Sequence, residues 1–252
     1  MAAVDDPQRL TAGILEEARR ADAAAAQRLA RFQQRFALRQ MFAAQNRQLI
    51  AAAGAAARVL EVGSGVGTFL VDAVTAPSIG RLTGLEVGLT SASVARQVTG
   101  GAVAMVVAPA ERLPFKSDAF NAVIARGVLH HLSAPDAAIR EIHRVLAPGG
   151  RLVIFEGNPA SHFRRFALGF ADLLRIRHED TQYRHLQPQE IRTLLGGFSD
   201  VRVEPVNGLF APFAYVGFGG PLVWRLFGGV RALVTRLYPS GFSWWLLWTA
   251  VK

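Results

Sequence analysis

The chain has 252 residues, 51% of them apolar and 19% charged, the balance of a protein that folds around a core. Its formal net charge is +9, and all the Lys/Arg charge except Lys116 and Lys252 is arginine, yet the mean hydropathy is +0.23. The absence of cysteine excludes disulfides, thiolate metal sites, iron–sulfur clusters and cysteine nucleophiles; the six histidines do not recur at ligand spacing, so no metal is expected.

The first twenty residues hold no uninterrupted apolar run, which reads against a signal peptide and for a cytoplasmic protein. Residues 1–57 form an Ala/Arg/Gln-rich helical extension. Asp6 is placed to cap a helix with Pro7 at its first position, Leu29, Phe32 and Phe36 recur at helical spacing, and Gly54 marks a stop. Arg28, Arg31, Arg35, Arg39 and Arg47 follow one another with no acid between them.

Residues 58–157 alternate short apolar runs with helical patterns. The predicted strands are Arg58–Val62, Arg81–Glu86, Ala102–Val107, Ala119–Ala125 and Arg151–Glu156. A helix is predicted over Ala134–Leu146, opened by a Ser133/Asp136 capping box and closed by Pro148-Gly149-Gly150. Such alternation predicts an α/β, doubly wound, Rossmann-like parallel sheet. Residues 158–252 are less regular. They hold an arginine-studded apolar helix pattern from His162 to Arg177, a short helix over Gln189–Leu195, and strands over Val201–Val206 and Ser243–Val251. Between those strands lies an apolar insertion with a basic amphipathic helix over Leu222–Tyr238. Pro205–Trp224 carries no charge for 20 residues, but its glycines and prolines argue against a spanning helix. The three zones read as one domain: extension, cofactor-binding core, and cover segments with the last two strands.

The most informative segment is Arg58-Val-Leu-Glu-Val-Gly-Ser-Gly-Val-Gly67, a strand running into three glycines and then an apolar helix. Glycines there permit a sharp turn and close approach of a ligand at the carboxyl end of a parallel strand. Glu86 closes the next strand, 19 residues beyond Gly67, where a carboxylate can accept both hydroxyls of a ribose. The combination points to an adenosine-type cofactor. The G-x-G-x-G spacing differs from the G-x-G-x-x-G of dinucleotide sites, which sets a nicotinamide dehydrogenase behind other readings.

These segments, VLEVGSGVG, LTGLE, AERLPF, FNAVIARGVLHHL and LAPGGRLVIFEGNP, resemble in order the class I S-adenosylmethionine-dependent methyltransferases of the methyltransferase-type-11 group. The resemblance implies a seven-stranded sheet with an antiparallel last pair. It implies that Glu61, Gly63, Gly65 and Gly67 hold the amino-acid part of S-adenosylmethionine, with Glu86 on the ribose and Val87 beside the adenine. Ala110 and Glu111 would follow the adenine edge, and Arg126 would line the methionine moiety. Three departures stand out. Pro109 replaces an acid that would meet the adenine amino group, Asn121 replaces a frequent aspartate, and Arg126 stands where a smaller residue is common.

Methyl transfer needs in-line approach, desolvation and often loss of one proton. His130 and His131, after the fourth strand, and Glu156, ending the fifth, are the candidate catalytic residues; the bland alternatives are loop hydrogen bonds and a structural ion pair. Asn158, His162, Tyr183, Arg184 and His185 are weaker candidates near the acceptor, and His143 reads as a packing residue. The leading expectation is methyl transfer to O, N or C of a small hydrophobic acceptor, of secondary-metabolite, isoprenoid, quinone or lipid-like type. The apolar, arginine-rimmed segments would cover it and touch anionic membrane surfaces. The competing readings are an RNA methyltransferase, disfavoured by the lack of a binding module, and a membrane-peripheral cofactor-binding protein without catalysis. The long N-terminal helix is read either as a cover for the site or as a pairing element between subunits.

Overall fold

The computed structural model describes residues 7–173, 185–209, 211–216 and 243–252, with isolated positions between 220 and 237. Seven strands form one sheet: β1 (Ala56–Val62), β2 (Ile79–Glu86), β3 (Ala104–Val107), β4 (Phe120–Arg126), β5 (Leu146–Gly157), β6 (Ser199–Asn207) and β7 (Ser243–Val251). Their order is β3-β2-β1-β4-β5-β7-β6, and β7 runs antiparallel to both neighbours. The doubly wound sheet and its antiparallel end agree with expectation. Strand boundaries differ by up to two residues at most ends, but β5 begins five residues early, at Leu146. The Pro148-Gly149-Gly150 turn therefore interrupts the start of a strand rather than preceding it.

The strands are buried on both sides, as parallel strands flanked by helices must be. Val59 of β1 with Val153 and Phe155 of β5 face one core layer, and Leu60, Leu152 and Ile154 face the other. The helices are α1 (Pro7–Gln34), α2 (Phe36–Ala53), α3 (Leu70–Ala73), α4 (Leu89–Val98), α5 (Pro135–Val145), α6 (His162–Leu173), α7 (Pro188–Leu194) and α8 (Ala211–Val216). Leu38, Met41 and Leu49 of α2 enter the first layer, and Ile139, Ile142 and Val145 of α5 enter the second at helical spacing.

Two local expectations are corrected. The N-terminal helical run is two helices, because Arg35 is extended (φ −98°, ψ 100°); Phe36 therefore opens α2 instead of continuing the Leu29–Phe32 face. Gly54 does end α2, with φ +70°. The Ser133/Asp136 box does not form: Ala134 is the N-cap of α5, and Pro135 takes the first helical position, where no N–H is needed. Asp6, Tyr183 and Arg184 lie outside the described residues, as does most of the Leu222–Tyr238 segment. Pro205–Trp224 begins inside β6, and among the described residues no helix is long and apolar enough to cross a membrane.

Helix α1 is fastened across the sheet by an unusual cap. The N-cap of α4 is Gly88, which has no side chain to offer. Asp22 of α1 supplies the oxygen instead: its Oδ1 accepts the N–H of Thr90 at 2.8 Å and lies 3.4 Å from that of Ser91. A Cβ on Gly88 would stand 2.6 Å from that oxygen, so the glycine makes room for the foreign cap. The Ser91 hydroxyl donates to the Ala21 carbonyl at 3.0 Å beside it. Asp22→Ala is expected to lower unfolding stability by about 1 kcal/mol, the usual worth of a cap, and to speed proteolysis within α1; unchanged cleavage would mean that α1 is held by other contacts.

Candidate active site

The strand order reverses direction between β1 and β4, so the loops leaving their carboxyl ends diverge and open a crevice. A cavity of about 310 Å³ occupies it. Of the residues singled out in the sequence, Gly63, Gly65, Glu86, Val87, Ala110, Glu111, Arg126, His130 and His131 line this cavity. Glu61, Gly67 and Glu156 stand behind it.

The turn after β1 is built on left-handed backbone, with Gly63, Gly65 and Gly67 at φ +71°, +53° and +82°. Gly65 has open space where a Cβ would be, whereas a Cβ on Gly67 would meet the Ala95 backbone of α4 at 3.0 Å. Gly65 thus leaves room for a ligand, and Gly67 lets two helices approach. The N–H groups of Gly63 and Ser64 both donate to the Leu85 carbonyl, at 2.8 and 3.0 Å. Glu86, only 5% exposed, completes the tie. Its Oε2 accepts the Gly65 N–H at 2.7 Å and its Oε1 the Gly88 N–H at 3.1 Å. Burial raises its pKa, and those backbone N–H groups oppose the rise. Each carboxylate oxygen keeps acceptor capacity for one more donor, which is what a ribose diol presents.

Glu61 is fully enclosed, and its Oε2 has no hydrogen-bond partner. Burial pushes its carboxyl up to about 8; the Arg126 charge pulls it down and Glu86 pushes it further up. Arg126 reaches back over the Phe42 ring, with 5.0 Å from Cζ to the centroid, and donates to Asn46 Oδ1 at 3.1 Å and to the Thr68 hydroxyl. Asn46 is itself oriented, its amide donating to the Thr68 carbonyl at 2.8 Å and to Asp72 Oδ2 at 2.7 Å.

At the other side of the crevice, Leu129–His131 forms a short 3-10 turn. Glu156, 3% exposed, accepts the Leu129 N–H at 2.7 Å on one oxygen and meets His130 Nδ1 at 2.6 Å on the other. The His130 ring lies against those of His131 and His185, tilted to both, with centroids 4.2 and 4.4 Å away. Arg164 donates to His185 Nε2 at 2.7 Å, which fixes that nitrogen as an acceptor because a guanidinium has no lone pair to offer. His131 is held down at about 3, first by burial and then by the neighbouring His130, Arg28 and His185. It is neutral at pH 7, so its 3.5 Å approach to Glu17 is a long polar contact rather than an ion pair. The histidines lack ligand spacing in the sequence, yet His130, Glu156 and His185 bring potential ligand atoms within 4.8 Å of one another.

Sequence reasoning missed the contribution of α1 and α2. Glu17, Arg28, Arg31 and Phe32 of α1, with Leu38, Phe42 and Gln45 of α2, wall the cavity opposite the sheet. Gln45 and Asn46 carried a usable signal, two amides that the helix buries in an Ala-rich run. Phe155, Tyr215 and Trp245 also line the cavity. His162 is exposed at the start of α6, Asn158 is buried against the Ser243 hydroxyl at 2.7 Å, and His143 packs edge-on against Phe198, as a packing residue would.

A seven-stranded sheet of this order, with a glycine turn after β1 and a buried acid closing β2, defines a class I, S-adenosylmethionine-dependent methyltransferase fold. Residues 60–154 match the family model described as a methyltransferase domain. The chain is 33% identical over 105 residues to a ubiquinone/menaquinone biosynthesis C-methyltransferase of Geotalea daltonii, a match covering 39% of this chain and 45% of that protein. The chain thus spans under half the length of that relative. Among solved structures it resembles a Thermotoga maritima methyltransferase described as a possible histamine N-methyltransferase, with TM-score 0.65, 18% identity, and 92% and 97% of the two chains covered. It also resembles the geranyl diphosphate C-methyltransferase of Streptomyces coelicolor, with TM-score 0.57, 17% identity, and 83% and 78% covered. At these identities the structures share the fold. The family's cofactor, S-adenosylmethionine, fits the cleft: a glycine turn open at Gly65, a two-oxygen acceptor at Glu86 and a cation at Arg126 are what its nucleoside and amino-acid ends require.

The pH behaviour of the cleft is testable through Glu61. Its folded pKa of about 8 exceeds its ordinary 4.5, so the folded state holds the extra proton. The stabilisation is complete below pH 4.5 and is lost as pH rises towards 8. His131 acts in the opposite sense and only below its ordinary 6.5. The melting temperature of the ligand-free protein should therefore fall between pH 6.5 and 8, and Glu61→Gln should lessen that fall; identical slopes in differential scanning calorimetry would refute the assignment.

Proposed function

We propose that the protein transfers a methyl group from S-adenosylmethionine to a small, hydrophobic, ring-bearing acceptor of quinol, phenol or isoprenoid type. The observation that carries this reading is Glu86, a buried carboxylate presenting both oxygens beside the open glycine turn. The acceptor class is supported by the walls beyond Arg126, which are Phe32, Leu38, Phe42, Phe155, Tyr215 and Trp245. Its weight is increased by the resemblance to a ubiquinone/menaquinone biosynthesis C-methyltransferase and to a geranyl diphosphate C-methyltransferase. We take the chain as one working unit, in which α1 serves as the cover of its own cleft rather than as a pairing element.

When bound, the cofactor supplies an electrophilic methyl carbon on a sulfonium. The residues of the chain then have three tasks. Glu86, Val87, Ala110 and Glu111 hold the nucleoside, Gly63 and Gly65 leave room for the amino-acid end, and Glu61 and Gly67 stand behind that turn. The aromatic walls and α1 exclude water and hold the acceptor for in-line approach. His130 takes the acceptor proton. Glu156 faces Nδ1, so Nε2 is the basic nitrogen, and the carboxylate stabilises the imidazolium as it forms. Glu156 is thereby a positioning residue rather than one that touches the acceptor. His131, whose pKa lies far below neutrality, is a wall and not a base. The same cluster is a poor home for a divalent metal, because the Arg164 guanidinium already occupies one histidine nitrogen.

Calorimetry is expected to show saturable S-adenosylhomocysteine binding by the wild type, weakened at least tenfold in Glu86→Ala, with no comparable binding of NAD. Absence of binding to the wild type would sink the reading. Turnover on a panel of quinols and phenols should then fall on His130→Gln mainly through kcat, and Glu156→Gln should move the acidic limb of the pH profile. A variant with lowered rate and an unmoved profile would assign Glu156 a purely structural role.

A peripheral membrane contact would suit a hydrophobic acceptor. It is supported by Phe166, Phe170 and Leu173, which share one exposed face of α6 beside Arg165, and by the chain beyond Glu204, which is basic and free of acids. Co-sedimentation with phosphatidylglycerol vesicles but not phosphatidylcholine vesicles, lost in a Phe166→Ser/Phe170→Ser variant, is the expected result; equal recovery in both supernatants would refute it.

A further inference from the structure

Helix α1 crosses the crevice with its inner face resting on both lips. Gly13 lies against Ser133, which follows β4: a Cβ on this glycine would overlap the serine hydroxyl and stand 2.8 Å from the serine Cβ. Two turns further on, Ala21 and Asp22 bind Thr90 and Ser91, which follow β2. Glu17 stands one turn from each support and lines the cavity together with Gly13 and Ala21. It therefore overhangs the middle of the crevice, above the glycine turn that leaves β1, the strand between β2 and β4. The electrostatics give the same position. Burial raises the Glu17 carboxyl above its ordinary range and Arg28 pulls it down; Glu86, at the end of β2, pushes it further up, while Arg20 and His130, the latter after β4, pull it down. Its Oε1 lies 3.5 Å from His131 Nδ1, and its side chain is only 19% exposed. One half-buried carboxylate is thus within the field of both lips at once.

A negative charge has a use there. Three guanidiniums, those of Arg28, Arg31 and Arg126, line the same cavity, yet the donor read into it carries a sulfonium. The ammonium and carboxylate of that donor offset each other, so the sulfonium is its net charge, and this charge disappears with the methyl group. The sulfur joins the ribose, read as held by Glu86, to the amino-acid end, read as lying by Gly65 and Arg126. The span between those two is the part of the crevice that Glu17 overhangs. In a cleft partly emptied of water, a unit charge is felt over several ångströms that bulk solvent would screen. We propose that Glu17 is the charge-discriminating residue of the site: its carboxylate faces the sulfonium of the bound donor and favours the cationic substrate over the neutral thioether product. The inference rests on the reading of the cleft as an adenosyl-donor site. Each turnover then removes the charge that Glu17 attracts, which loosens the spent cofactor when it has to leave. The attraction is to the ground state of the donor, so it acts on binding rather than on the chemical step.

The test reads a ratio of affinities, measured by calorimetry without acceptor. Two ligands are cationic at the reacting centre: S-adenosylmethionine, and sinefungin, in which a carbon bearing an ammonium replaces the sulfonium. S-adenosylhomocysteine is neutral there. In Glu17→Gln, affinity for the two cationic ligands is expected to fall roughly threefold or more, the scale of a partly screened charge pair, while that for S-adenosylhomocysteine stays within about twofold. Glu17→Asp, which keeps the charge, should recover part of the cationic preference. The ratio is insensitive to a fraction of unfolded protein, so a destabilised variant still decides. Unchanged affinity for all three ligands in Glu17→Gln overturns the inference. A parallel loss for all three overturns it as well, because it assigns Glu17 to holding α1 in place. Failure of the wild type to bind any of the three defeats the donor reading and this inference with it, whereas an intact S-adenosylhomocysteine site with an unmoved ratio defeats this inference alone.

Discussion

The site depends on a single buried carboxylate. Glu86 ends β2 and binds one N–H from the turn after β1 and another from the turn after β2. Those two turns would otherwise be independent loops at the carboxyl edge of the sheet. Tied together, they place Gly65, Val87 and the acceptor face of Glu86 on one wall. The energetic logic is that of a charge removed from water: it is costly alone and becomes tolerable as donors accumulate around it. Two backbone donors are present already, and two hydroxyls would add to them. A nucleoside bound as proposed would complete an interaction that folding has half made. The cap that Asp22 lends to α4 stands two residues beyond Gly88, so the cover helix is fastened beside the same tie.

The opposite side of the crevice follows a similar principle with the roles of charge reversed. Arg126 is a fixed cation among neutral oxygens and an aromatic face, and Glu156 is a fixed acceptor behind an imidazole. Neither is oriented by chance. Arg126 is steered through Asn46 by Asp72, and His130 is steered by a carboxylate that also holds the turn on which it sits. Chemistry between these walls needs little motion of the site itself, which is the condition under which positioning and desolvation contribute most.

Much of the core was legible in the sequence because its signals are local. A strand, a glycine turn, a helix and an acid at the end of the next strand lie within 29 residues, 58–86, and their spacing fixes how they meet. The Gly54 stop is likewise a one-residue signal. The misses are where several elements compete or where partners are far apart in the chain. The Arg35 break cannot be read from Leu29, Phe32 and Phe36, because their spacing suits an unbroken helix equally well. The Ser133/Asp136 box lost to Pro135, whose fixed φ and missing N–H suit the first helical position. The joining of His130, Glu156 and His185 is set by the order of β4, β5 and the segment before α7, which histidine spacing does not encode. The wall formed by α1 and α2 was hidden for the same reason: Glu17 and Asn46 acquire meaning only once the helices fold back over β1 and β4.

The excess of arginine takes on a different sense in this frame. A run of five arginines between positions 28 and 47 would suit a nucleic-acid surface if all pointed outward. Only Arg47 is fully exposed. Arg28 and Arg31 line the cavity, Arg35 donates to the Tyr215 carbonyl, and Arg39 donates to the Gln33 carbonyl while lying 6.0 Å from the Phe36 ring. Most of these charges therefore belong to the packing of the N-terminal helices over the cleft and to its wall, not to an open surface. That explains how a chain can be both strongly basic and strongly apolar: the arginines of this region border an apolar chamber, where long aliphatic stems pack against rings while the charged ends find carbonyls or face the opening.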